Sequence, residues 1–355
     1  MTTGTHQRVW GWDTLEGEGF DEAKLNEMVG AFRETFKSPL EDPRPMGQRL
    51  HALLLPEEVL AELKAAEVET LILSLDRQLR YLPMAALFDG ENWLAAEYTL
   101  THVTRSSLTA SAESPSAAIA AFGVTQAHQG FSPLPAVADE VGMLVREGAG
   151  DPGILSGSAV LDAGFTREKL AQSLIFSDEA EDRLGILHLA SHFKFGRSEA
   201  DSFLLLGDGK SLTVQDIREG IDRDADLSEV ALLTLSACET AYGETDADGR
   251  ELESFASIAQ HQGARAVMAS LWPVADSSTA ALMVAFYQRY TAGLPVAEAL
   301  RGAQLALMTG DPEAVGNERR GFDLDVSEDT PQPPLLAGWE HPFYWAPFIL
   351  MEGSV

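Results

Sequence analysis

Short apolar runs alternate along this chain with segments whose apolar residues recur at helical spacing. The strongest runs cover residues 117–124, 184–190, 230–235 and 264–271. Continuous apolar runs of this length are typical of strands buried on both faces of a sheet. The helical pattern between them, as at residues 166–174, favours helices that connect parallel strands. The sequence therefore predicts an α/β fold in which helices flank a parallel sheet.

One of these runs leads to Cys238, the only cysteine among the 355 residues. Disulfides and multi-cysteine metal sites are therefore excluded within one chain. We expect Cys238 just past the end of its strand, on the edge where open α/β sheets place their ligands. The run 184–190 is likewise followed by His192. If the two strands are parallel neighbours, Cys238 and His192 lie side by side, as a reactive thiol and its base must.

Four blocks of the sequence resemble the CHAT domain, a caspase-like peptidase module that is related to separases and is often joined to tetratricopeptide repeats. They are LHLASH at residues 187–192, LSACET at 235–240, ASLWPV at 269–274 and HPFYWAPF at 341–348. With weaker upstream matches, the resemblance covers nearly the whole chain. It implies a caspase-like, mostly parallel sheet, cysteine peptidase activity on protein substrates, and no cofactor or metal.

The resemblance implies that Cys238 is the nucleophile and His192 its base. Caspases place roughly 50 residues between these two side chains, and the spacing here is similar. His188 is a competing histidine, but it lies inside the apolar run, where a hydrogen-bonded core histidine is expected. The competing interpretation of Cys238 is a structural thiol that packs as a small hydrophobe.

Three further positions follow from the same resemblance. The backbone amides of Cys238 and Phe193 are the expected oxyanion hole, although the family commonly has glycine where Phe193 stands. Asp276 follows a Trp-x-Val segment, as does the separase carboxylate that receives the substrate arginine, so we expect cleavage after Arg or Lys. The alternative for Asp276 is a helix cap. Glu239 is also expected to take part in substrate binding.

The resemblance also divides the chain into two regions. Residues 1–115 are expected to form a helical region and a non-catalytic caspase-like segment, and residues 116–355 the catalytic region. Residues 106–116 have a linker-like composition, and residues 309–338 read as a long loop without an assigned role. A first helix is indicated by apolar residues at helical spacing: Leu25, Met28, Val29, Phe32 and Phe36.

Net charge limits the partners. A formal charge of −30 argues against nucleic acid, because phosphate binding depends on clustered lysine and arginine. The first residues lack the apolar core of a signal peptide, and no run reaches membrane-spanning length, so we expect a cytoplasmic protein without a membrane partner. CHAT modules often act under a sensor, so we expect an activating partner protein in a bacterial signalling or defence system. The alternative function is a catalytically silent caspase-fold scaffold that binds a partner protein.

Overall fold

A mixed, mostly parallel sheet of 11 strands forms the centre of the molecule. The computed structural model describes residues 20–104, 118–128, 130–175, 184–194, 196, 198–222, 225, 227–239, 250–272, 276–311 and 338–352. The strands are β1 (Thr70–Leu73), β2 (Thr99–His102), β3 (Ala118–Gly123), β4 (Val145–Arg146), β5 (Leu155–Leu161), β6 (Leu184–Lys194), β7 (Phe203–Leu205), β8 (Ser211–Thr213), β9 (Leu232–Glu239), β10 (Ala266–Ser270) and β11 (Phe348–Glu352).

The strands follow the order β1-β2-β11-β10-β9-β6-β3-β5-β4, and β7 and β8 extend from β6. Every neighbouring pair on this path is parallel except β10 with β11. The β6–β7 and β7–β8 pairs are antiparallel. The predicted α/β fold with a mostly parallel sheet is confirmed, and one sheet joins strands from both sides of the expected boundary at residue 115.

Helices cover both faces of the sheet. They are α1 (Glu22–Glu34), α2 (Arg44–Leu54), α3 (Glu57–Ala65), α4 (Leu94–Glu97), α5 (Ala136–Leu144), α6 (Arg167–Ser173), α7 (Val214–Glu219), α8 (Arg250–His261), α9 (Asp276–Thr291), α10 (Val296–Thr309) and α11 (Pro342–Trp345). Thr166 caps α6, because its side chain accepts a hydrogen bond from the Lys169 amide at 3.2 Å.

Alternation along β6 and β9 decides which helices cover which face, since successive side chains of a strand point to opposite sides. Four leucines of these strands line one small apolar cavity with side chains from α6, α7 and α8. The residues between them, including His188 and Thr234, contact α5 and α9 on the other face. The leucines are Leu187, Leu189, Leu233 and Leu235.

The segment that begins with α1 packs against the chain that follows β10. Its predicted apolar residues are buried, and the Asp21 side chain caps α1 by accepting from the Lys24 amide at 3.0 Å. Phe36 stacks on Trp272 with ring centroids 4.7 Å apart and planes 16° apart. Phe32 meets Phe36 edge to face at 4.9 Å. These contacts fix the N-terminal region to the end of β10.

The sequence analysis missed some strands, and some of its predictions fall outside the described residues. Strands β4, β5, β8 and β11 were not predicted from the sequence. The linker expected at residues 106–116 and nearly all of the long loop expected at 309–338 lie outside the described residues, which resume at 338. These two loop assignments therefore stay predictions.

Candidate active site

The candidate site lies where β6 and β9 run side by side. The strands pair in parallel, with Ala190 opposite Ser236 and Phe193 opposite Cys238. Three steps along β6 therefore match two along β9, and this register shift is a β-bulge that contains His192. Since neighbouring strands lie about 4.8 Å apart, the backbone of position 238 is one strand spacing from that of Phe193.

The expectation that Cys238 and His192 follow the ends of their strands is wrong. β6 continues to Lys194 and β9 to Glu239, and these two residues are themselves paired. The polar residues stay extended because β6 also pairs with β7 on its other side. The expected adjacency of the two strands is confirmed. The side chains of Cys238 and Glu239 lie outside the described part of the structure.

His192 is 4% exposed and is held by the segment that precedes α5. Its Nε2 lies 2.8 Å from the carbonyl oxygen of Ser132. A carbonyl oxygen only accepts hydrogen bonds, so Nε2 carries the proton, and Nδ1 is the proton-accepting nitrogen of the neutral ring. Phe131 packs on the imidazole with ring centroids 5.0 Å apart. The hydrogen bond to Ser132 and the aromatic contact with Phe131 both orient the ring.

Sequence reasoning did not identify Ser132. A backbone carbonyl has no residue-type signature, so its role as the partner of His192 depends only on where the chain passes. The available signal was the Pro133–Leu134–Pro135 segment before α5, because prolines stiffen a chain and restrict the residue that precedes each of them.

Phe193 replaces the glycine common in the family without backbone strain. Positive φ angles at described non-glycine residues occur only at Glu67, Arg77 and Asp162, so position 193 does not require glycine. Its ring is buried and meets Phe255 edge to face at 4.8 Å. Phe193 has strand neighbours on both sides, so an oxyanion contact from its amide would compete with hydrogen bonding within the sheet.

His188 is a core histidine, as the sequence indicated. It is fully buried, and both ring nitrogens have partners: Nε2 lies 2.9 Å from Glu140 Oε1, and Nδ1 lies 3.1 Å from the Tyr287 hydroxyl. Burial raises the pKa of Tyr287 well above its ordinary value. Sequence reasoning missed Glu140 and Tyr287, which lie on two different helices and converge only after folding.

Asp276 is the first residue of α9, whereas a cap would be the residue just before the helix. The preceding strand, β10, is parallel to β9, so the chain reaches α9 from the same edge of the sheet that carries position 238. The side chain of Asp276 lies outside the described residues. Trp272, just upstream, is buried and donates its Nε1–H to the Phe343 carbonyl at 3.0 Å.

The hydrogen bond between Trp272 and Phe343 joins two of the sequence blocks that resemble the CHAT domain, residues 269–274 and 341–348. The Gln304 side chain of α10 adds two more, donating to the carbonyl oxygens of Trp345 and Phe348 at 3.2 Å each. The C-terminal block therefore supports the strand next to β9 and has no described contact with His192.

Within the described ranges, no group of three or more His, Cys, Asp or Glu side chains is arranged to hold a metal ion. No described helix is both long enough and apolar enough to cross a bilayer.

The α/β sheet thus places a histidine-containing bulge beside the strand of the single cysteine. The model of the CHAT domain matches residues 44–353, and the chain belongs to the CHAT-domain family. No curated protein matches the sequence.

Two solved structures are similar over most of the chain. One is the Arg-specific cysteine proteinase gingipain R, with 9% identity and a TM-score of 0.41 over 94% of this chain and 74% of that one. The other is a complex of the pro- and mature domains of RgpB from Porphyromonas gingivalis, with 9% identity and a TM-score of 0.42 over 94% of this chain and 76% of that one.

Proposed function

We propose that the chain is a cysteine endopeptidase that hydrolyses proteins after Arg or Lys through Cys238 and His192. The observation that carries the proposal is the β6–β9 register, in which the bulge containing His192 lies opposite the segment of β9 that contains Cys238. Family membership and the orientation of His192 toward a backbone carbonyl are consistent with it.

In the proposed reaction, Nδ1 of His192 accepts the proton of the Cys238 thiol, and the thiolate attacks the substrate carbonyl carbon. Backbone amides stabilise the oxyanion, with Cys238 as the first donor and Phe193 as the second. The imidazolium then protonates the leaving amine. A water molecule, deprotonated by His192, hydrolyses the thioester and releases the acid product. The Ser132 carbonyl keeps Nδ1 as the reacting nitrogen throughout.

Specificity is assigned to Asp276, with Glu239 as a second carboxylate. A carboxylate and a guanidinium can form two parallel hydrogen bonds, which selects arginine strongly and lysine less strongly. The position of Asp276 at the start of α9, the first helix after the strand next to β9, supports this assignment. The stated alternative, a capping role for Asp276, is compatible with it.

We also propose that a second protein switches the peptidase on. A CHAT module that acts in a bacterial signalling or defence system would stay inactive in the cytoplasm until a sensor or partner protein binds. The formal charge of −30 is compatible with a partner that has a basic surface, and the alternative is that this charge only keeps the protein soluble.

The test is cleavage of a fluorogenic peptide panel that varies the residue before the scissile bond, with Cys238→Ala as control. We expect Arg and Lys peptides to be cleaved, and the activity to be lost in Cys238→Ala and reduced in Asp276→Asn. Cleavage after another residue type would refute the specificity while leaving the peptidase.

A second measurement decides between a peptidase and a silent scaffold when the panel shows no cleavage. Because Cys238 is the only cysteine, alkylation of the chain reports this thiol alone. An activated thiol reacts quickly near neutral pH and slows in His192→Ala, whereas a structural thiol reacts slowly with or without the histidine. A latent enzyme reacts quickly only after its partner is added.

A further inference from the structure

A buried cluster of five polar side chains lies on the face of the sheet that α5 and α9 cover. Ser236 Oγ donates to Glu140 Oε1 at 2.7 Å, and the same oxygen lies 2.9 Å from His188 Nε2. The Tyr287 hydroxyl lies 3.1 Å from His188 Nδ1 and 2.9 Å from Thr234 Oγ1. All five residues are at most 1% exposed.

One arrangement of protons satisfies the whole cluster. A carboxylate at Glu140 accepts from Ser236 and from Nε2–H of His188. The Tyr287 hydroxyl donates to His188 Nδ1 and accepts from Thr234. A cluster satisfied in this way holds its members in directed positions, since a displaced group would lose its partner in a dry environment.

The opposite face of the same two strands shows what the cluster adds. There the strands present four leucines to the helices, and apolar packing buries them without directed bonds. On the α5 face, Glu140 bonds to one residue of β6 and one of β9. A single carboxylate therefore fixes α5 to both strands that carry the candidate site. Its partner Ser236 lies two residues before Cys238, and Ser236 pairs with Ala190 at the start of the bulge.

A short, stiff segment connects α5 to Ser132, whose carbonyl oxygen is the hydrogen-bond partner of His192. Ser132 is followed by Pro133, Leu134 and Pro135, and α5 begins at Ala136. Each proline fixes its own φ and holds the preceding residue extended. The Leu134 amide donates to the Thr125 carbonyl at 3.0 Å, which holds the middle of the segment. A displacement of α5 would therefore move the Ser132 carbonyl away from the His192 ring.

We propose that Glu140 is a positioning residue for His192. Its two hydrogen bonds fix α5 against β6 and β9, and the proline-stiffened segment transmits that position to the Ser132 carbonyl that holds the imidazole. The consequence for catalysis rests on the proposed function, whereas the consequence for the His192 ring does not. A misplacement of about 1 Å in a catalytic group can slow a reaction by about 100-fold.

The direct test follows the Nε2 proton of His192 by NMR in the full chain with ¹⁵N-labelled histidine. The signal is assigned by its loss in His192→Gln. Its exchange with water reports the hydrogen bond to Ser132, since a broken bond exposes the proton. We expect Glu140→Ala to speed exchange by at least about 10-fold. Glu140→Gln should retain the wild-type rate, because its amide oxygen accepts the same two hydrogen bonds.

Two further variants separate positioning from general destabilisation. Tyr287→Phe breaks the far side of the cluster but keeps both bonds of Glu140, so it should lower stability without speeding exchange at His192. Pro133→Gly leaves the cluster intact but softens the segment, so it should speed exchange as Glu140→Ala does. If Glu140→Ala does not fold, Pro133→Gly still tests the second half of the proposal, because a wild-type exchange rate would show that the segment does not transmit the position of α5.

The proposal is overturned if folded Glu140→Ala or Pro133→Gly keeps the wild-type exchange rate, or if Glu140→Gln behaves like Glu140→Ala. The proposed function is judged separately by alkylation of Cys238. If the rate in the wild-type protein does not depend on His192, the catalytic pair fails while the exchange data still decide the role of Glu140. If the rate does depend on His192, Glu140→Ala should lower it by about 10- to 100-fold.

Discussion

Acid should weaken this fold through one buried histidine in particular. His102 lies at the end of β2, where it is 8% exposed and pairs with Met351 of β11. Its Nδ1 lies 3.3 Å from the Leu350 carbonyl oxygen and so carries the proton, while its Nε2 is buried without a hydrogen-bond partner among the described residues. A second proton on Nε2 would create an uncompensated buried charge. Burial therefore lowers the pKa of His102 from 6.5 to about 4.

The sign and size of the effect follow from these two pKa values. Between pH 6.5 and pH 4 the unfolded chain binds a proton at this ring and the folded chain does not, so the stability falls as the pH falls. One pKa unit corresponds to about 1.36 kcal/mol. We expect His102 alone to reduce the free energy of unfolding by about 3 kcal/mol between pH 7.5 and pH 4.

The assay compares urea unfolding of the wild type and His102→Asn at pH 8, 7, 6, 5 and 4. Asparagine keeps a donor toward the Leu350 carbonyl and removes the titrating group. At pH 8 the ring is neutral in both states, so that measurement isolates the cost of the substitution itself. The difference between the proteins should then shift in favour of the variant by about 3 kcal/mol at pH 4. Parallel curves across the whole range would refute the reasoning.

Three substitutions test the packing. Gly157→Ala should destabilise by more than about 3 kcal/mol or prevent folding, because its Cβ would lie 1.8 Å from the Ile119 carbonyl oxygen. Gly142→Ala in α5 is the matched control, since its Cβ would meet nothing within 4 Å, and it should stabilise by about 1 kcal/mol. Tyr287→Phe should cost about 2–4 kcal/mol, because it leaves two buried partners unsatisfied. Phe36→Ala should cost about 3–5 kcal/mol from the cavity it leaves against Trp272. Urea unfolding measures all four, and a cost under about 1 kcal/mol for any of the three destabilising changes would contradict its explanation.

Much of the fold is predictable from the sequence because burial on both faces makes a strand continuously apolar. That pattern identified β3, β6, β9 and β10, and helical spacing identified α1. The same signal failed for β5, whose sequence LSGSAVL is interrupted by small and polar residues. Its Gly157 serves a close approach to β3, which depends on a neighbour distant in sequence. A pattern within one segment does not contain that information.

The candidate site shows the same division. The spacing together with the CHAT resemblance selected Cys238 and His192 as candidates, and of this prediction the adjacency of their two strands is confirmed. The bulge in β6 was not predictable, because it depends on how two separate strands align. The Ser132 carbonyl and the Glu140 cluster were also missed, since each is assembled from segments that meet only in the folded chain.

The place of β11 in the sheet has a consequence for how the protein is made. Residues 348–352 lie between β2 and β10, so they separate strands that are synthesised long before them. During translation, β1 and β2 therefore cannot join the central strands until β11 has left the ribosome. The central strands from β3 to β10 can assemble earlier, but the N-terminal strands must wait as an exposed edge. Completion of the sheet is thus a late step in synthesis, and the waiting strands are a part of the nascent chain that a chaperone would have to shield.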